Sequence, residues 1–514
     1  MDVFALRDRL VADYEEFTRS FITVRDARIG EVVDRELSEG LLWPESLIQL
    51  NPSFAPGATI DELAGQGVLH DANRAIFRRG KTEGATGAAG SSALRLHRHQ
   101  EDAIRVAATG ANYVLTTGTG SGKSLTYIVP IVDRVLREGP GKGIKAIVIY
   151  PMNALANSQA GELEKFLKFG FPNNDGPVTY ARYTGQESQD EREAIIAKPP
   201  DILLTNYVML ELLLTRPYEK GLIEAAKGLR FLVLDELHTY RGRQGADVAL
   251  LVRRVREATK AANLQVVGTS ATLAGGGTVD DQKVEIAAVA SRLFGATVEP
   301  QNVVGETLVR STQAPRPEDP TWIDALRARV RSAAPPPADP AAFIADPLAS
   351  WIEGELGLSE EPGTGRLVRA KPRAISGDEG AAKRLAAVVE TDEDRCAEAI
   401  RDTLFAGYEV TLPGAAFPVF AFRLHQFFSR GDTVFASVEA EEDRYLTTRG
   451  QQFVPGDRDK VLLPLSFCRE CGQDYYTVGR RKDLSGTYTY EPRELSDVVA
   501  VEERDRGFLF LGSD

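Results

Sequence analysis

Cysteine, methionine and tryptophan each occur only three times in 514 residues, and histidine five times. Three cysteines cannot staple a chain of this length, so the fold must rest on apolar burial, and a disulfide-built secreted scaffold is excluded. No charged-then-apolar leader follows Met1, and no apolar run approaches about 18 residues. A reducing, cytoplasmic location without membrane attachment is the expectation. Positive charge is also short: 61 Lys and Arg against 74 Asp and Glu leave a formal charge of −13. The molecule as a whole should repel a polyanion, so any grip on nucleic acid has to come from local positive surface, hydroxyls and main-chain N–H groups. The length implies roughly three or four domains.

Against these absences stands one dense local pattern. The apolar run Tyr113-Val114-Leu115 precedes Thr117, Gly118, Thr119, Gly120, Ser121, Gly122, Lys123 and Ser124, and the largely apolar stretch Leu125 to Val132 follows. That order reads as strand, phosphate-cradling loop and helix, a P-loop for ATP. Small residues let successive N–H groups curl around phosphate oxygens, Lys123 supplies a point charge to the terminal phosphates, and the Ser124 hydroxyl can ligate Mg²⁺. The usual first glycine of the pattern is Thr117 here.

Two further motifs support the loop. Phe231-Leu232-Val233-Leu234 reads as a buried parallel strand running into Asp235, Glu236, Leu237 and His238. Carboxylates at a strand's carboxyl end face the crevice where α/β proteins bind ligands, so Asp235 can hold Mg²⁺ through its waters and Glu236 can polarise an attacking water. A third apolar strand, Gln265 to Gly268, delivers Thr269, Ser270, Ala271 and Thr272, whose hydroxyls suit a sensor of the γ-phosphate.

With three motifs in order, each at a strand end, the chain resembles the superfamily 2 DExH-box helicases and translocases. The resemblance extends to Leu96-His97-Arg98-His99-Gln100, similar to that family's adenine-reading motif with Gln100 as base contact. It also covers Pro151 and Asn153, Thr184 and Gly185, and Thr205 and Asn206, which match strand-contacting motifs, and it gives His238 a coupling role toward Ser270, Ala271 and Thr272. The string from Asp235 to Gly245, followed by Val252-Arg253-Arg254-Val255-Arg256, is similar to the large bacterial Lhr-like and MrfA-like helicases of DNA repair and phage defence. The resemblance implies ATP and Mg²⁺ as ligands. It implies DNA as partner, single-stranded or duplex with a loading strand, with RNA left open, and partner proteins of a defence or repair complex.

The expected fold class is α/β: a RecA-like doubly wound parallel sheet over 91–300, preceded by an N-terminal helical region and linker (1–90) and followed by a Pro-rich linker (301–340) and a mixed α+β accessory region (341–514). Val3, Leu6, Leu10, Tyr14 and Phe17, then Ile22, Ile29, Val32 and Leu37, fall at helical steps and predict two amphipathic helices. Residues 41–52 are apolar, punctuated by prolines, and read as a packing arm in a groove of the motor domain. Residues 80–92 read as a flexible linker, and Phe417 to Phe422 with Thr433 to Val438 as hairpin-like runs. The pair Cys468 and Cys471 has the spacing of half a zinc knuckle. Three readings stay open: zinc completed by residues beyond Asp514, a metal-free pair, or completion within the chain by Cys396 and His425.

The Gln-x-x-Gly-Arg-x-Gly-Arg signature of a second motor lobe does not occur; Gly479-Arg480-Arg481 and Arg430-Gly431 are the nearest fragments. An N-terminal portion of a longer polypeptide, or a subunit whose other lobe is supplied in trans, is therefore expected. An arginine brought to the γ-phosphate is worth roughly 10³ to 10⁵ in rate, so one lobe alone should bind nucleotide and turn it over poorly. The sequence reading is an ATP-dependent helicase or translocase, with a nucleotide-gated binding or assembly module as the alternative.

Overall fold

Seven short segments pair in parallel to make one sheet: β1 (Tyr113–Thr116), β2 (Ala146–Tyr150), β3 (Tyr180–Tyr183), β4 (Ile202–Asn206), β5 (Phe231–Leu234), β6 (Gln265–Ser270) and β7 (Val303–Gly305), in the order β7-β1-β6-β5-β2-β4-β3. The structure is a computed structural model describing residues 2–20, 23–84, 91–118, 120–271, 277–413, 417–429, 433–482, 486–493 and 505–511. Strand side chains alternate between faces, and in β1, β2, β4 and β5 both faces are largely buried, which is why these strands read as near-continuous apolar runs. Leu115, Val148, Leu204 and Val233 enter one apolar cluster with α1 (Arg98–Ala108), α2 (Leu125–Glu138) and α3 (Asn153–Leu167). Val114, Ile147, Leu203 and Leu232 enter another with α4 (Tyr207–Thr215), α5 (Gly242–Ala258) and α6 (Val279–Phe294). Helices on both faces of a parallel sheet are the doubly wound α/β arrangement expected for a RecA-like core.

The chain groups into two units, residues 53–309 with 360–368, and residues 1–52 with 310–359 and 369–514. This grouping cuts the expected 1–90 region between Pro52 and Ser53. Two sequence expectations are corrected. The arm over 41–52 groups with the second unit and is no mere packing arm: Leu47–Asn51 is a strand, antiparallel to Ala421–His425 and to Arg373–Ala374. Its alternation explains this, since Ile48 and Leu50 point into the apolar cluster of the second unit while their neighbours do not. The runs near 417–422 and 433–438 do not pair with each other, because Phe435–Ala436 takes Leu446–Thr447 and Pro464–Leu463 as partners. Residues 85–90 of the 80–92 linker lie outside the described residues. Helices Val3–Ser20 and Ala27–Ser38 form as expected.

In the second unit β8 (Leu463–Phe467) and β9 (Asp474–Lys482) run antiparallel, and β9 also pairs with β10 (Tyr488–Pro492) and β11 (Asp505–Leu509). Ile29 packs with Val434, Leu463, Leu465, Tyr476 and Val478 against this sheet. Arg444, 5% exposed, is held between Asp26 and Asp474, the latter at 2.8 Å. Asp26 also caps Ala27–Ser38 by accepting from the Ile29 N–H at 3.0 Å. Burial alone would raise the Asp26 carboxyl, but the Ile29 N–H and Arg444 outweigh it and hold it below its ordinary value. Breaking a buried ion pair costs about 3–5 kcal/mol because the abandoned charge stays buried. Arg444→Met should therefore lower unfolding free energy by that order in urea titrations. The Asp26 contribution should be complete above about pH 4 and vanish as acid protonates it through its lowered folded value.

Candidate active site

β1, β6 and β5 are consecutive in the sheet and parallel, so their carboxyl ends, and the loops that leave them, lie side by side. The P-loop is tied to its neighbour as it starts: the Thr117 N–H donates to the Ser270 carbonyl at 3.2 Å, and the buried Thr117 and Ser121 hydroxyls are 2.6 Å apart. Gly120 and Gly122 adopt φ of 83° and 70°, where a Cβ is unfavourable. At Gly122 an added Cβ would also fall 2.5 Å from Gln100 Nε2. Gln100 accepts from the His97 N–H at 2.8 Å and donates to the carbonyls of Gly122 at 2.9 Å and Ser121 at 3.3 Å, so it is wired to the loop directly. Thr119 lies outside the described residues, as does Thr272.

The acid pair is organised by the next strand. The Thr269 hydroxyl donates to Asp235 Oδ1 and accepts from the Glu236 N–H at 3.2 Å. Burial, reinforced by the neighbouring Glu236 charge, pushes the Asp235 carboxyl up, while Thr269 and Lys123 oppose the rise. Glu236 has φ of 53°, a left-handed turn that is sparsely populated by non-glycine residues and frequent at functional sites. Lys123 Nζ lies 3.4 Å from Glu236 Oε1, serving as its counter-ion. His238 Nδ1 is 3.2 Å from Ser270 Oγ, which joins the acidic motif to the third motif. The same nitrogen is 3.2 Å from Glu236 Oε2 but misaligned, and that oxygen has no hydrogen-bond partner among the described residues. Ser124 heads α2 and Asp235 ends β5. A hydroxyl and a carboxylate are hard oxygen donors of the kind Mg²⁺ takes. With two left-handed glycines, a lysine held by an acid and an unsatisfied carboxylate oxygen, the donor set fits a magnesium nucleotide.

The residues matched to strand-contacting motifs also come together, at the ends of β2, β3 and β4. Asn206 Nδ2 donates to Asn153 Oδ1 at 2.7 Å and to the Thr184 carbonyl at 3.0 Å, while its Oδ1 caps α4 through the Met209 N–H. Thr184 is buried: its hydroxyl and N–H donate to Glu187 at 3.0 and 2.8 Å, and the Gly185 N–H joins them at 3.0 Å. The Thr205 hydroxyl is buried too, donating to the Tyr183 carbonyl at 2.7 Å. What this crest shows to solvent is Gly185, Gln186 and Met152, which follows Pro151. Sequence reading missed Phe54, whose ring lies 5.0 Å from His97 and 5.1 Å from His99, and Glu306, which accepts from the Gly118 N–H at 3.2 Å. Both arrive from distant segments with no local motif. His99, buried with Nε2 3.0 Å from the Ser121 carbonyl, sat within the motif containing Gln100 and could have been found by position. Cys396 is buried among apolar side chains and no cluster of three or more His, Cys, Asp or Glu suited to a metal occurs among the described residues, so none completes a site with Cys468 and Cys471.

Residues 97–280 match the model of the DEAD/DEAH box helicase family. That match covers just over a third of the chain, and this segment is similar to those helicases. It is 30% identical to the ATP-dependent helicase YprA of Bacillus subtilis over 35% of this chain and 23% of that protein. It is 32% identical to the ATP-dependent helicase HRQ1 of Saccharomyces cerevisiae over 34% of this chain and 16% of the relative. Druantia protein DruE of Escherichia coli is 25% identical over 31% of this chain and 15% of its own length. The chain thus spans less than a quarter of each of these three relatives. Among solved structures, the DUF1998 helicase MrfA bound to DNA aligns with a TM-score of 0.38 at 23% identity, covering 54% of this chain and 32% of that one.

Two substitutions test the nucleotide site by calorimetry with Mg-ATP. Lys123→Ala removes a charge worth about 4 kcal/mol at contact distance under an effective dielectric near 20, and should weaken binding by at least about a hundredfold. Gly122→Ala should displace Gln100 and strain the loop, cutting affinity about tenfold or more while the protein stays folded by circular dichroism.

Proposed function

We propose that the chain is the nucleotide-binding lobe of an ATP-dependent DNA helicase or translocase working in DNA repair or phage defence. The observation that carries this reading is the hydrogen-bonded run Lys123–Glu236, Thr269–Asp235 and His238–Ser270, which joins three strand-end loops into one charge-sensing unit beside the P-loop. The curated relatives named as ATP-dependent helicases support it.

Lys123 would exchange its internal counter-ion Glu236 for the terminal phosphates, with Gly118 to Ser124 supplying N–H groups. Ser124 and Asp235 would hold Mg²⁺, whose bound charge offsets that of the phosphates. Glu236, freed of Lys123, would orient the attacking water. His238 would pass the change to Ser270 and onward along β6. Gln100, buried with its amide bonded to the Ser121 and Gly122 carbonyls, would release one of them to read the base. The crest braced by Asn153, Asn206 and Glu187 would track sugar-phosphate without reading sequence. Cys468 and Cys471 would offer two thiolates to a zinc ion whose other ligands come from outside the described residues. N–H groups of Cys471 and Glu470 already draw the Cys468 thiol down.

The test is the ATPase rate of the full-length protein with and without single-stranded DNA. Stimulation of at least about tenfold is expected, since strand binding closes the site and brings the arginine that is worth roughly 10³ to 10⁵. No stimulation by DNA or RNA would put the nucleotide-gated assembly module ahead.

A further inference from the structure

In the second unit the register of β9 and β10 sets Arg480 opposite Tyr490 and Lys482 opposite Tyr488. Residues directly opposite in an antiparallel pair share a face, so this end of the ribbon presents two cations and two phenol rings together. Further along β9 the same face carries Tyr476 and Val478, which are buried in the apolar cluster around Ile29. The face therefore changes from core to open surface within one strand. Tyr488 is 44% and Tyr490 47% exposed, and Arg480 and Lys482 are exposed beside them. The Arg480 guanidinium lies 4.5 Å from the Tyr488 ring centroid and the Lys482 ammonium 5.3 Å from it. Glu491, the only acid in β10, points to the opposite face and pairs with Arg481 at 3.6 Å.

We propose that this face of β9 and β10 is a binding platform for single-stranded nucleic acid, separate from the crest of the motor sheet. Rings two residues apart on one strand stand about 7 Å apart, a spacing that lets successive bases of an extended strand each take one ring. Base-on-ring stacking tolerates any sequence because every base has a π-face, and a sheet is a recurrent scaffold for it. The adjacent strand supplies the phosphate contacts, with Arg480 and Lys482 both lying against the Tyr488 ring. In a molecule carrying a formal charge of −13, a local pair of cations flanking aromatic rings is the charge complementarity a polyanion needs. A protein partner would have to desolvate Lys482 at the centre of its interface, where lysine is depleted.

The experiment is fluorescence anisotropy of the full chain, without nucleotide, against a labelled oligothymidylate of about 15 residues. Tyr488→Ala with Tyr490→Ala should weaken binding at least about tenfold, while Tyr488→Phe with Tyr490→Phe, which keeps the rings, should stay within about twofold. Arg480→Ala with Lys482→Ala should flatten the slope of log affinity against log salt by about 1.4, the value for two phosphate contacts on a single strand. Equal binding by the double alanine and wild-type chains overturns the platform, and so does a wild-type chain that binds no oligonucleotide. Mg-ATP calorimetry on the same samples separates this from the motor reading: nucleotide binding should be unchanged in all three ribbon variants, and its absence in the wild type would sink the motor reading alone.

Discussion

The arrangement depends on one pairing: β6 lies between β1 and β5, parallel to both. That neighbourhood brings the P-loop, the acid pair and the third motif to one edge of the sheet, although more than a hundred residues separate the first from the second. Register matters as much as order. Leu234 stands opposite Gly268, so Thr269 comes out beside Asp235 and can bond both it and the Glu236 N–H. A slip of one residue would turn Thr269 to the other face and exchange the two apolar clusters. Burial on both faces makes such a slip costly, and the site inherits its precision from the core.

Within that frame, charge is handled by internal substitution. Lys123 and Glu236 neutralise one another, and the half-buried Asp235 is raised toward its neutral form while Thr269 keeps it hydrogen-bonded. Oε2 of Glu236 is left without a hydrogen-bond partner among the described residues, 3.2 Å from His238 Nδ1. A left-handed backbone at Glu236 is the local strain that aims the carboxylate, and it persists because β5 and the turn from Leu237 to Thr239 hold it on both sides. The crest at β2, β3 and β4 follows similar economy: its hydroxyls at Thr184 and Thr205 bond the protein itself, and they stiffen the loops that reach solvent.

Much of the parallel sheet was legible because its inner strands are buried on both faces. Continuous runs such as Phe231 to Leu234 can only be strands of a covered sheet when turn residues and acids follow directly. The P-loop was legible for a different reason, since the glycines at 120 and 122 are required by backbone geometry that other residues resist. The second unit was harder to read. Leu47–Asn51 is a five-residue strand whose partners lie more than 300 residues away, and a short alternating segment beside prolines carries no local sign of such a partner. Phe54 and Glu306 were invisible for the same reason: each reaches the candidate site from a segment with no motif of its own.

The order of residues by itself determined the chemistry available: a lysine and serine in a small-residue loop, two acids at a strand end, hydroxyls at the next, and a deficit of positive charge. These are local properties, encoded in spacing and in the conformations that glycine alone accepts. Tertiary structure decided which groups meet. It set Lys123 against Glu236, placed Gln100 on the loop's own carbonyls, turned the Thr184 and Thr205 hydroxyls inward, and gathered Arg480, Lys482, Tyr488 and Tyr490 on one face. Such meetings depend on strand order and register, which arise from burying apolar surface across the whole chain and are not written at any single position.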